Sequence, residues 1–77
     1  MPEPTASDPT KILIVDDDSS VRDVIAVLLG EEGYVCTAVN SAEAALDAVR
    51  HAEYPLVISD VRMPGKDGFW LLDRMRE

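Results

Sequence analysis

Two short apolar runs, ILIV at Ile12–Val15 and LVIS at Leu56–Ser59, each stop abruptly at aspartate. A continuous apolar run rich in β-branched residues, too short for a helix, suits a strand buried on both faces. Strands of that kind belong to parallel sheets, whose neighbours are reached through helical crossovers. The first run ends on Asp16, Asp17 and Asp18, and the second on Asp60. Both strands therefore deliver carboxylates to the same end of the sheet.

The intervening segments supply the crossovers. Asp18, Ser19 or Ser20 can cap a helix carrying Val21, Val24, Ile25, Leu28 and Leu29 at spacings of three and four, with Gly33 placed to end it. Tyr34 to Val39 reads as a second strand. Asn40 or Ser41 can cap a second helix, with Glu43 three residues beyond Asn40 as in a capping box and Ala45, Leu46 and Val49 on one face. After Asp60 the stretch RMPGKDG is a turn by its Pro and Gly content, and FWLLDRMRE is a helix starting near Asp67. The order strand, helix, strand, helix, strand, helix calls for parallel strands joined by right-handed crossovers, with ligands at the C-terminal ends of the strands. Residues 1–10, with three prolines and no large apolar residue after Met1, are expected to be a flexible leader to a domain spanning 11–77.

Composition narrows the function classes. A chain of 77 residues is at most one small domain, and such domains bury only about 60 to 65% of their unfolded surface. The net charge of -8, from 15 acidic against 7 basic residues, argues against nucleic acid and anionic membrane as partners, since no basic cluster could neutralise phosphates. The apolar runs fall far short of the roughly 20 residues that span a bilayer, and no signal pattern opens the chain. Cys36 is the only cysteine, so no internal disulfide can form. A cytoplasmic protein is expected.

Consecutive carboxylates at a strand end repel one another unless a cation sits among them. If the first and third strands are neighbours, Asp16 and Asp17 stand beside Asp60 in an oxygen-only pocket suited to a hard divalent ion, Mg2+ above all. The helix that follows adds a positive dipole end favouring an anion close by. Metal, anion and a lone carboxylate together point to phosphoryl transfer. A calcium loop of the EF-hand kind fails, because Val21 takes its glycine position and Val27 its bidentate acid position.

The segments ILIVDDDSSVRDV and LVISDVRMPGKDG resemble the receiver domain of two-component response regulators, most closely those of the nitrogen-regulation type. The resemblance implies a flavodoxin-like parallel α/β sheet, here with three βα units in strand order 2-1-3. It implies that Asp60 accepts a phosphoryl group from a sensor histidine kinase. It also implies that Mg2+ is held by Asp16, Asp17, Asp60 and the backbone carbonyl of Arg62, with Asp17 ligating directly and Asp16 mostly through water. Met63, Pro64 and Gly65 match the turn that follows the family's acceptor. On this reading the chain is a signalling module and not an enzyme.

The family fold has five βα units, so the chain matches a receiver truncated within the third. The Ser or Thr after the fourth strand and the Lys after the fifth have no counterpart, and Lys66 lies in the acceptor loop, where the family has no such role. Slower phosphorylation is the expectation. Strand three would become an apolar edge, and unpaired apolar edges recruit partners, so self-association through that edge or through helix faces is expected. A fragment left by proteolysis is the plainer explanation of the same length.

Two other functions compete. In a non-switching interaction fragment, the acidic site would be vestigial. In a phosphohydrolase of the haloacid-dehalogenase kind, which DDDSS also resembles, Asp16 would be the nucleophile and Asp18 the general acid, but that superfamily's later lysine and acidic pair have no match. Several residues have ordinary readings. Asp18 is a cap or simply exposed, His51 a surface residue near a helix C-terminus, and Met63 and Met75 packing residues. Phe69 and Trp70 are expected in the core or under cover, or else at an interface if the helices are under-covered.

Overall fold

The computed structural model describes residues 9–76. Residues 1–8 of the expected leader lie outside the described residues; Pro9 and Thr10 are exposed. Strand β1 spans Lys11–Val15, α1 Ser19–Glu31, β2 Val35–Val39, α2 Ala42–His51, β3 Leu56–Ser59 and α3 Gly68–Met75. The sheet is parallel throughout, in the expected order β2-β1-β3.

The central place of β1 follows from its sequence. Ile12, Leu13, Ile14 and Val15 are each no more than 1% exposed, because the strand has a hydrogen-bonded neighbour on either side and helices over both faces. Its side chains alternate between those faces. Leu13 and Val15 join a core with Ala42, Ala45 and Leu46 of α2, Met63, and Leu71 of α3. Ile12 and Ile14 stand on the opposite face, where α1 packs over β1 and β2.

Local chemistry sets the element ends, and in three places it departs from expectation. Tyr34 does not open β2: its N–H bonds the Leu29 carbonyl at 3.2 Å while that of Gly33 bonds Gly30 at 3.1 Å. That pairing, with Gly33 at a φ of 94°, is a Schellman ending that uses Tyr34 to close the helix. The cap of α2 is Ser41, whose Oγ accepts from the Ala44 N–H at 3.1 Å. Glu43 therefore sits one residue too early for a capping box, although an acid in the first turn still favours the dipole. Finally, the sheet-facing stripe of α1 is Arg22, Ile25, Ala26 and Leu29, all half-buried, whereas Val21, Val24 and Leu28 are exposed.

Among the aromatics, Trp70 is half-buried against the core and Phe69 is 67% exposed. Met63 packs into the core as expected, but Met75 is exposed. His51, exposed at the end of α2, has its Nδ1 2.7 Å from the carbonyl oxygen of Asp47.

Candidate functional site

The strand ends are tied together by the ladder. Val15 pairs in register with Ser59 and Val39. One residue further, the Asp60 N–H donates to the Val15 carbonyl at 2.9 Å and the Asp16 N–H to the Val39 carbonyl at 3.2 Å. Asp16 and Asp60 thus leave neighbouring strands at one level. Asp17 follows, and one carboxylate oxygen from each of Asp16, Asp17 and Asp60 lies within 4.8 Å of the others.

Asp16 is half-buried and the other two are exposed. In water, unit charges at such spacing repel by about 1 kcal/mol per pair, so exposure lets the cluster form. The donor set is oxygen-only and anionic, which suits a hard cation. Bonds of about 2.1 Å in an octahedron place ligand oxygens roughly 3 to 4 Å apart. The observed spacing is close to that range, and the residues fit Mg2+.

Asp18 is not part of the cluster. Its Oδ1 accepts from the N–H groups of Ser20 at 2.8 Å and Val21 at 3.4 Å, and its own N–H donates to Asp16 Oδ1 at 2.9 Å. The positive end of α1, expected to be open to an anion, is occupied at these two amides by the Asp18 carboxylate. Of the three residues that the sequence offered for this cap, Asp18, Ser19 and Ser20, it is Asp18 that serves.

The loop after β3 is built on close approaches. Asp60 Oδ1 accepts from the Arg62 N–H at 3.1 Å, which orients that carboxylate, and Ser59 Oγ donates to the Asp60 carbonyl at 2.9 Å. Gly65 has a φ of 76°, a conformation that favours glycine. Buried Met63 anchors the loop in the core. Asp67 caps α3 by accepting from the Trp70 N–H at 2.9 Å. The first residue of α3, Gly68, lies so near the loop that a Cβ there would sit 2.7 Å from the Asp60 carbonyl oxygen. Lys66 turns to Trp70, its ammonium 5.7 Å from the ring centroid, with the Arg74 guanidinium 5.5 Å from the same centroid.

Two contributors escaped sequence reasoning. Gly68 read only as turn composition. Arg22, from α1, donates through Nη1 to the Asp16 carbonyl at 2.8 Å. A signal for it existed, since a cation near a helix N-terminus opposes the dipole and calls for a partner.

Comparison with known proteins bears on this arrangement. Residues 12–77 match the response regulator receiver domain. The transcriptional regulatory protein FixJ of Bradyrhizobium diazoefficiens is 45% identical over 65 residues, covering 84% of this chain and 32% of that protein. The chemotaxis protein CheY4 of Vibrio cholerae superposes with a TM-score of 0.85 at 32% identity, over 88% of this chain and 57% of that one. A chain in the crystal structure of histidine kinase ThkA in complex with response regulator protein TrrA gives a TM-score of 0.82 at 36% identity, over 87% and 58% of the two chains. The present chain thus spans about a third of FixJ and under three fifths of either structural neighbour.

Proposed function

The chain belongs to the response regulator receiver family, and on that premise we propose that Asp60 accepts a phosphoryl group from the phosphohistidine of a sensor histidine kinase. The observation that carries the reading is the convergence of Asp16, Asp17 and Asp60 within 4.8 Å. Asp16, Asp17, Asp60 and the Arg62 main-chain carbonyl would hold Mg2+. When bound, the ion supplies positive charge against the phosphoryl oxygens and the crowded carboxylates.

Asp60 does the covalent chemistry. The Arg62 amide holds its Oδ1, and the other carboxylate oxygen attacks phosphorus in line. An O–P bond forms, the P–N bond of phosphohistidine breaks, and its electron pair returns to the imidazole nitrogen. The product is an acyl phosphate on Asp60. In this role the chain receives a group and is not itself the catalyst of turnover. The kinase as partner draws support from the ThkA and TrrA complex among its structural neighbours.

Intact mass after incubation with Mg2+ and a small acyl phosphate tests the reading. One phosphoryl group should add to the unsubstituted chain, none to Asp60→Asn and none with chelator. Labelling retained in Asp60→Asn overturns it, and a label mapped to Asp16 supports the dehalogenase-like alternative.

For the 77-residue chain by itself we propose a second copy as further partner. Support comes from β3, at one edge of the sheet among the described residues, with Leu56 and Leu72 each 49% exposed nearby. Sedimentation should show a concentration-dependent dimer that Leu56→Lys weakens; a cooperatively folding monomer at all concentrations argues against it. A cytoplasmic location fits this partner set, and no described helix is long and apolar enough to cross a membrane.

A further inference from the structure

Helical side chains lean toward the N-terminus of their helix, so a long side chain in the first turn can reach back to the loop before it. Arg22 does so from the fourth residue of α1. Its guanidinium is spent on main chain, with Nη1 2.8 Å from the Asp16 carbonyl oxygen in a partly buried contact. That carbonyl lies just beyond the last residue of β1, past the strand's own ladder.

Asp16 is consequently held at three points: its N–H by Val39, its Oδ1 by the Asp18 N–H, and its carbonyl by Arg22. The third of these fixes the peptide plane joining Asp16 to Asp17. That plane sets the direction in which Asp17 leaves the strand, and hence whether the two carboxylates converge on Asp60 or splay.

We infer that Arg22 is a positioning residue for the aspartate pocket: by clamping the Asp16 carbonyl from α1, it holds the Asp16 and Asp17 carboxylates in the convergent arrangement that binds a divalent cation. The inference rests on the Mg2+ reading of the pocket.

Two variants of the full chain test it, Arg22→Met, which keeps the apolar stem, and Arg22→Lys, which keeps a charged donor of similar reach. Mg2+ affinity is measured by calorimetric titration and fold integrity by thermal unfolding without metal. Loss of a partner behind the ligands typically costs about tenfold or more in metal affinity. Arg22→Met should show that loss with little change in its unfolding midpoint, and Arg22→Lys should recover most of it. Unchanged affinity in Arg22→Met, or an equal loss in both variants, overturns the inference and leaves Arg22 as packing.

Amide hydrogen exchange of the metal-free protein separates this from failure of the pocket reading. If the unsubstituted chain itself binds no Mg2+, the pocket reading fails. The positioning claim is then decided by the Asp18 N–H, which should exchange faster in Arg22→Met while that of Ile14 is unchanged. Equal rates at Asp18 overturn it. Should Arg22→Met not fold, the same comparison is made on Arg22→Lys, where protection at Asp18 close to that of the unsubstituted chain is expected and its full loss is not.

Discussion

The two faces of the sheet are clothed by helices of very different burial. Over one face, α2 and α3 bury Ala42 and Ala45 completely and leave Leu71 1% exposed. Over the other, the longest helix, α1, has no buried residue, and Val24, Val27 and Leu28 are 58 to 60% exposed. Periodicity reports which residues share a helix face. Burial depends on what lies opposite, and α2 and α3 have each other where α1 has only the sheet.

The sharpest way to break this comparison is to truncate equivalent residues on the two sides. Leu71→Ala opens a cavity in the shared core and should cost about 2 to 5 kcal/mol, enough to unfold much of so small a domain. Leu28→Ala removes a side chain that is mostly in water and should change stability by less than about 0.5 kcal/mol. Urea titration of both variants measures the contrast; equal losses would mean that α1 is covered in solution by something that protects its outer face.

The glycines sharpen it further. Gly68→Ala forces a Cβ to 2.7 Å from the Asp60 carbonyl, so a loss of about 1 to 3 kcal/mol is expected. The same substitution should slow phosphorylation, because the backbone of Asp60 must move. A stability loss with labelling unchanged would show that α3 yields and the acceptor loop does not. At the small end, Gly30→Ala lies near the end of α1 with nothing within 4 Å of its new Cβ. It should stabilise by about 0.5 to 1 kcal/mol, readable as a raised denaturation midpoint.

Much of the site was legible in advance for a simple reason. Asp16 and Asp60 directly follow apolar strands, with Asp17 next after Asp16, and in a parallel sheet all strand ends of one polarity lie together. Asp18 was legible as a cap from its position before an apolar-periodic segment, and the start of the last helix near Asp67 was legible too. Contacts between side chain and distant backbone were not. The Arg22 bond depends on the angle at which α1 leaves the loop, and the Gly68 contact on how closely α3 returns to the loop after β3. Residue spacing encodes neither angle.

The capping of α2 shows the same boundary at short range. Both Asn40 and Ser41 satisfy the composition rule, and a shift of one residue changes which side chain stands at the third helical position. The choice fell to Ser41, whose Oγ meets the Ala44 N–H.

By itself the sequence determined the alternation of strands and helices, their parallel sense, and the delivery of aspartates to one end of the sheet. These follow from side-chain period, turn chemistry and the short reach of a connecting loop. Tertiary structure decided that β1 lies between β2 and β3 and that three carboxylates meet within 4.8 Å. It also decided that Arg22 reaches Asp16 and that α1 keeps an apolar face in water. The strand order and the carboxylate cluster join segments far apart in the chain, and even the Arg22 contact, which spans six residues, is set by how whole elements pack and not by any local preference.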